Sequence, residues 1–255
     1  MIKNKLTVSN LLPNKPIKYS PVSPLSIKGI GYLLCHPKIA LKLLSYANFG
    51  YLKEVGWIKS FNLKKPVDYS ENPIPWNTYS YIDFISQRLK KNMSIFEYGS
   101  GYSTLYYQKK VNFVASVEHD MDWYNKISLM ASNNVKLCHE PLEGITYENA
   151  PMKFKELFSI IIIDGEKRVE CMNQAIKYLK DDGVIVLDDS HWNDFKAGVE
   201  FLKLNDFNSF NFHPLVNTAT INIKREDFYN FFKINNIEIN FINFETYNIH
   251  GIKDL

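Results

Sequence analysis

Ile95-Phe96-Glu97-Tyr98-Gly99-Ser100-Gly101-Tyr102-Ser103-Thr104-Leu105 is the stretch on which the reading of this 255-residue chain turns. A short apolar run, Ser94–Tyr98, enters two glycines one residue apart, and a helical pattern, Ser103–Lys110, follows. Two glycines so spaced let the backbone approach a ligand at a helix N-terminus, where free N–H groups favour a carboxylate or phosphate. A dinucleotide fingerprint needs a third glycine three residues after Gly101, and Thr104 stands there, so pyrophosphate binding is disfavoured. No Gly-Lys-Ser/Thr follows, which excludes a P-loop.

Working outward, strands alternate with helices. Strand patterns cover Phe113–Glu118, Val135–His139, Phe158–Asp164 and Gly183–Asp188, and helical patterns cover Tyr79–Lys90, Asp120–Asn133 and Arg168–Leu179. Strands as uniformly apolar as Ile160–Ile163 are buried on both faces, the mark of a parallel sheet covered by helices. A helix to about Leu204 and strands at Asn208–His213 and Thr218–Lys224 complete the pattern. The expected architecture is α/β: a Rossmann-like, mostly parallel sheet with helices on both faces, plus an N-terminal helical extension.

Ligands of such sheets bind past the carboxyl ends of the strands. There the chain reads Glu97–Ser103, Glu118–Asp120, Glu140–Pro141, Asp164–Arg168 and Asp188–His191, an acid at each of five strand ends. Some of these acids cap the following helix, as Asp120 is placed to do. Glu118 ends the second strand, where a carboxylate can accept both hydroxyls of a ribose.

Together these segments resemble the class I S-adenosylmethionine-dependent methyltransferases over about Pro73–Lys224. Glu97–Ser103 matches the family's first motif, with Ser103 where many members have a third glycine, and Val117–Asp120 matches the second. Ile161–Arg168 and Leu179–Asp189, with the preceding Asn72–Tyr79, are similar to a bacterial subgroup acting on small molecules and sugars. The resemblance implies seven strands, the last antiparallel, and S-adenosylmethionine as cofactor. It implies that Gly99, Ser100, Gly101 and Ser103 hold the methionine part, with Glu97 near its ammonium. It further implies Glu118 on the ribose, His119 beside the adenine, Glu140 closing the adenine pocket, and Asp164 lining the site.

Two chemistries for the transfer stay open. In some relatives an acid after strand four and a pair of acidic or amide residues after strand five hold a divalent cation. Asp164, Asp188 and Asp189 occupy those places, and three hard oxygen ligands suit Mg2+ or Mn2+. In the alternative there is no metal, and His191 removes the acceptor's proton, its ordinary pKa near 6.5 suiting that task. Asp164, Asp188 and His191 are thus the candidate catalytic residues, on a hydroxyl of a sugar, glycolipid or other small molecule. Trp76 and Tyr79 are candidates for stacking or for the core. Lys167 and Arg168 are candidates for an anionic acceptor or for solvated residues at a helix start. A non-catalytic nucleotide-binding module is the competing function, because fold alone does not give activity.

Composition narrows this further. With 45% hydrophobic and 22% charged residues the chain can bury a core. Its apolar runs reach about half a dozen residues against the roughly 20 needed to span a bilayer, and MIKNKLTVSN does not begin a signal peptide. Cys35, Cys138 and Cys171 lie far apart and, like His36, read as packing residues. The net charge of +3 hides a split: residues 1–65 carry eleven lysines and one acid, Glu54, and the rest carries 19 basic and 26 acidic residues. An acidic body disfavours nucleic acid.

The expected organisation is therefore a basic leader and helical cap over 1–70, a cofactor-binding domain over 71–225, and an aromatic, asparagine-rich tail over 226–255 packed on it. Pro37 should break or restart the helical cap. The expected location is cytoplasmic. The lysines either belong to a cap packed on the body or touch the inner face of an anionic membrane.

Overall fold

The computed structural model describes residues 27–190, 192–212 and 219–224. The expected strand at Thr218–Lys224 begins at Ala219, and the tail over 226–255 lies outside the described residues.

Seven strands form one sheet: β1 (Ser94–Tyr98), β2 (Phe113–Glu118), β3 (Val135–His139), β4 (Phe158–Ile163), β5 (Leu179–Leu187), β6 (Phe207–Phe212) and β7 (Ala219–Lys224). Their order is β3-β2-β1-β4-β5-β7-β6. The first five run parallel, while β7 pairs antiparallel with both β5 and β6. The order reverses beside β1, which sets the crevice of a doubly wound fold there.

Alternation along the strands explains why the sheet needs helices on both sides. Ile95, Val114, Ile160, Ile162, Val184 and Val186 bury into one cluster, with Tyr81 and Ile85 of a helix at Tyr79–Ser86 and Tyr106 and Tyr107 of a helix at Tyr102–Tyr107. Phe96, Tyr98, Val117, Ile161, Ile163, Ile185 and Leu187 bury into a second, with Cys171, Met172 and Ala175 of a helix at Arg168–Ala175 and Leu202 of one at Lys196–Leu204. Every second residue thus faces its own layer of helices, which is what continuous apolar strands require. Cys171 is a packing residue as expected, Cys138 is half-buried, and Cys35 is exposed.

Numbered in chain order, the helices are α1 (Ile27–Cys35), α2 (Pro37–Phe49), α3 (Tyr51–Glu54), α4 (Trp57–Leu63), α5 (Tyr79–Ser86), α6 (Tyr102–Tyr107), α7 (Met121–Ser128), α8 (Arg168–Ala175) and α9 (Lys196–Leu204). Several are shorter than the periodicity predicts. The helix read over Asp120–Asn133 is α7 with Asp120 as its N-cap, whose carboxylate accepts from Trp123 N at 2.7 Å. The reading over Arg168–Leu179 splits into α8 and a 3-10 turn at Ile176–Tyr178 before β5. Pro37 restarts the chain as α2 after a one-residue break at His36, where a proline has no N–H to lose.

The chain divides into two compact units between Lys53 and Glu54, ahead of the boundary expected near residue 70. Local contacts explain the shift. Gly56 sits at φ +86 with its Cα against the Asp68 backbone, so close that a Cβ would lie 2.4 Å from Asp68 C. Ser60 of α4 exchanges hydrogen bonds with Val67 O (2.8 Å) and Val67 N (3.0 Å), and Val67 bridges Pro73. These contacts hold α4 and residues 66–73 to one another, on the same side of the division.

The parallel register brings the strand ends level: Tyr98 faces Val117 and Ile163, Glu118 faces His139, and Ile163 faces Leu187. One more backbone bond continues each pair past the sheet, from Gly99 N to Val117 O, Glu140 N to Glu118 O, Asp164 N to Tyr98 O and Asp188 N to Ile163 O. The acids that follow the strands are carried out along one edge.

Candidate functional site at the carboxyl edge of the sheet

The glycine loop is shaped by close backbone packing. Gly99 has φ +90, and a Cβ there would lie 3.0 Å from Gly165 Cα, so β1 and β4 can turn past one another only without side chains. Gly101 N donates to Thr104 Oγ1 at 2.9 Å, and Trp123 Nε1 donates to Ser100 O at 2.7 Å. Thr104, the residue that argues against a dinucleotide, therefore fixes the first turn of α6.

Glu118 locks this loop to the end of β2. Its Oε2 accepts from Ser100 N (3.0 Å) and Ser100 Oγ (3.1 Å), and its Oε1 accepts from His119 N (2.9 Å) and Asp120 N (3.0 Å). Four donors fill the ordinary capacity of a carboxylate. Three of them are backbone groups, so the Ser100 hydroxyl is the contact a ribose diol can take over. His119 lies beside this carboxylate, Nδ1 3.1 Å from Oε1, and its ring meets Tyr147 edge-on at 6.2 Å.

Glu97 is the outlier. It is 1% exposed, and neither carboxylate oxygen has a hydrogen-bond partner among the described residues. Burial pushes its pKa up to about 7, against the opposing pull of the Thr104 and Ser103 hydroxyls. An unpaired buried carboxyl is stable only if it takes up a proton or meets a cation.

Asp164 and Asp188 come together at the ends of β4 and β5. Burial and the negative charge of Asp188 raise Asp164 well above the ordinary carboxyl range, with Glu97 adding to the effect. Asp188 is raised by burial and by Asp189, while Asp164, Arg168 and Asn77 pull it back. The two carboxyls therefore interact directly, each acting on the other's charge. Asn77, 111 positions away in sequence, donates its amide N–H to Asp188 Oδ1. Thr78 caps α5 by accepting from Tyr81 N at 3.1 Å, which holds the loop carrying Asn77 in place.

Arg168 clamps the same corner. Its Nε donates to Gly165 O (2.8 Å), one terminal nitrogen to Asp188 O (2.8 Å), and the other to Asp164 Oδ1 (3.3 Å) and Asp164 O (3.4 Å), with the guanidinium over Phe195. Arg168 is therefore neither a solvated residue nor free for an acceptor. Lys167 is also engaged, with Gly144 O (2.6 Å) and Glu148 (3.1 Å).

The geometry lends no support to the expected Mg2+ or Mn2+ ligand set of Asp164, Asp188 and Asp189. Among the described residues no three His, Cys, Asp or Glu side chains converge to hold a metal ion. Asp188 is committed to Asn77 and Asp164, Asp164 faces the Arg168 guanidinium, and Asp189 stands in a left-handed turn at φ +51. A guanidinium occupies the electrostatic role a cation would fill. His191 lies outside the described residues. Glu140, expected at an adenine pocket, is buried and ion-paired with Lys153. Trp76 is exposed, so it is not a core residue, while Tyr79 packs on the first cluster.

Sequence reasoning passed over Asn77 and Tyr147. Asn77 sits in a stretch quoted only for its resemblance. Tyr147 is buried beside Gly165, its hydroxyl where a Cβ at that glycine would fall. The glycine after the fourth strand is the signal that pointed to a bulky neighbour.

No protein-family model and no curated protein matches the chain. Among solved structures, it is similar to a precorrin 8w decarboxylase from Methanobacterium thermoautotrophicum, with 16% identity over 63% of this chain and 96% of that one, at a TM-score of 0.47. A precorrin-6y C5,15-methyltransferase from Geobacter metallireducens matches at 15% identity over 56% and 86%, with a TM-score of 0.45. An rRNA methylase from Streptococcus thermophilus matches at 16% over 56% and 92%, with a TM-score of 0.44. Likeness at this level carries no argument about activity, which rests on the geometry of the strand-end edge.

Proposed function

We propose that the chain binds S-adenosylmethionine at the carboxyl edge of its sheet and transfers the methyl group to a hydroxyl of a sugar, glycolipid or other small molecule. The observation that carries this reading is Glu97, a fully buried carboxyl with no hydrogen-bond partner among the described residues, set under a glycine loop that Glu118 anchors. Such a carboxyl calls for a ligand cation, and the ammonium of an amino-acid moiety supplies one. The ribose would take the Ser100 contact on Glu118, and His119 would flank the base.

S-adenosylmethionine supplies a methyl group on a positively charged sulfur, an electrophile that needs orientation more than activation. For an acceptor hydroxyl to take that methyl, its proton would have to leave to a group of the protein. The Asp164–Asp188 pair stands ready to take it. Asp188, whose pKa burial raises and Asp164, Arg168 and Asn77 pull back, is the base, and Asp164, raised well above the ordinary range, is its neighbour. A pure binding module has no use for a carboxyl pair so arranged, which favours the enzyme over a non-catalytic nucleotide-binding protein.

Calorimetric titration with S-adenosylmethionine and S-adenosylhomocysteine tests the cofactor. Binding of both is expected, and the absence of heat with either, confirmed by equilibrium dialysis, overturns the proposal. Turnover is then read by screening hydroxyl acceptors with methyl-labelled cofactor.

A further inference from the structure

The N-terminal compact unit ends at Lys53, and its composition changes at the same place. Residues 1–53 contain eight lysines and not one aspartate or glutamate. Glu54, the first acid in the chain, opens the next unit. The described part of the basic unit is α1, α2 and most of α3. Its large apolar side chains point to solvent: Leu34 is 76% exposed, Leu41 66% and Phe49 85%, with Ile30, Tyr32, Leu33, Ile39, Leu44 and Tyr51 exposed as well. His36 stacks on Tyr32, which stiffens the joint between α1 and α2.

Nine exposed apolar side chains within 22 residues form a surface that a protein in water alone does not keep bare. We infer that this unit docks on an anionic lipid bilayer, lying in the interface with its apolar side chains in the acyl boundary and its lysines on the headgroups. An acidic protein surface would match the lysines but leave the leucines and Phe49 unpartnered, whereas an anionic bilayer satisfies both. The unit lies on the membrane and does not cross it: α1 has 9 residues and α2 has 13, each too short for a hydrocarbon core of about 30 Å. No described helix is long and apolar enough to span one. The inference is independent of the methyltransferase reading.

The test is co-sedimentation of the full chain with vesicles of phosphatidylcholine alone and of phosphatidylcholine with one third phosphatidylglycerol, across a salt series. Binding to the anionic vesicles is expected, with little to the neutral ones and a marked loss at 0.5 M salt. Each lysine near the surface is worth about fivefold in partitioning, so replacing Lys28, Lys38 and Lys42 by glutamine together should weaken binding about a hundredfold. Leu34→Ser with Leu41→Ser should weaken it as well, through lost burial. The wild-type salt series needs no variant to fold. The inference is overturned if the chain stays in the supernatant with both vesicle types, or if binding ignores salt and anionic lipid. A concentration-dependent dimer that the leucine variant abolishes, with no lipid binding, would overturn it in favour of a second copy as the occupant.

Discussion

Replacing Glu97 by glutamine separates what this carboxyl costs the fold from what it does for a ligand. Its folded pKa is pushed up to about 7 from an ordinary value of 4.5, because burial penalises the charged form. The sign follows from proton binding: between those two values the folded chain holds a proton that the unfolded chain has lost. Stability is therefore highest below about 4.5 and falls as pH rises towards 7. The shift corresponds to about 3 kcal/mol at pH 8. Glu97→Gln removes this penalty, so at pH 8 the variant should be the more stable protein, by up to that amount, in urea unfolding. Ligand binding should move the other way. If an ammonium pairs with the ionised carboxyl, the competent fraction rises from about 3% at pH 5.5 to about half at pH 7, a gain of about sixteenfold in affinity. Over that window an α-amino group with a pKa of about 7.7–8.0 stays protonated. Calorimetry in two buffers of different ionisation enthalpy should show proton release on binding at pH 5.5, and Glu97→Gln should bind more weakly, without that pH dependence. Wild-type affinity that stays level from pH 5.5 to 7 with no proton release, or a Glu97→Gln chain that binds as tightly as wild type at pH 7, would refute the reasoning.

Asp188→Asn should leave cofactor affinity within about threefold and lower turnover by at least about a hundredfold, since it removes the base and not the binding site; equal losses in both would show a structural role instead. Ser100→Ala should barely change cofactor affinity, because three backbone donors still hold Glu118, whereas Glu118→Ala should abolish binding measurable by calorimetry. EDTA should leave methyl transfer unchanged, and restoration of a lost rate by Mg2+ or Mn2+ would contradict the part given to Arg168. Gly165→Ala would place a Cβ 2.1 Å from the Tyr147 hydroxyl and 2.9 Å from Gly99 N; overpacking of this kind costs about 1–3 kcal/mol, read as a lower thermal midpoint, and a neutral substitution would argue against the packing described.

The sheet was legible because its strands carry their own signal. Ser94–Tyr98 and Phe113–Glu118 have the bounds that apolar runs and flanking turns predict, since a strand buried on both faces admits few alternatives, and the partly exposed edge strand Val135–His139 keeps its expected bounds through its flanking turns. Helix ends were harder: Asp120 caps α7 as expected, but the helical pattern over Asp120–Asn133 stops at Ser128, and the chain leaves α8 through a 3-10 turn. Glu97, Gly99 and Glu118 could be found from spacing, as each sits at a strand end. Asn77 could not, because its partner is 111 residues away and only the folded chain brings the two together. The expected metal set is a related case. Spacing places Asp164, Asp188 and Asp189 correctly along the chain, but it cannot show that Arg168 folds back from α8 onto Asp164 and the carbonyl of Asp188.

The acids at the strand ends are not equivalent, and the way each is compensated shows where a positive ligand must go. Glu140 is paired with Lys153, and Glu148, on the loop that precedes β4, with Lys167. Glu118 is held by backbone N–H groups and the Ser100 hydroxyl, which satisfy a carboxylate without a cation. Asp164 meets the Arg168 guanidinium, and Asp188 accepts from the Asn77 amide. Among the described residues Glu97 has no cation and no hydrogen bond to its oxygens, only the pull of the Thr104 and Ser103 hydroxyls nearby. The uncompensated charge therefore lies on one side of the glycine loop, next to a carboxyl pair able to accept a proton. A ligand with one permanent and one titratable positive charge suits that arrangement better than a neutral nucleotide, which would leave Glu97 unpaired, or a polyphosphate, which would add negative charge to an edge that already has too much.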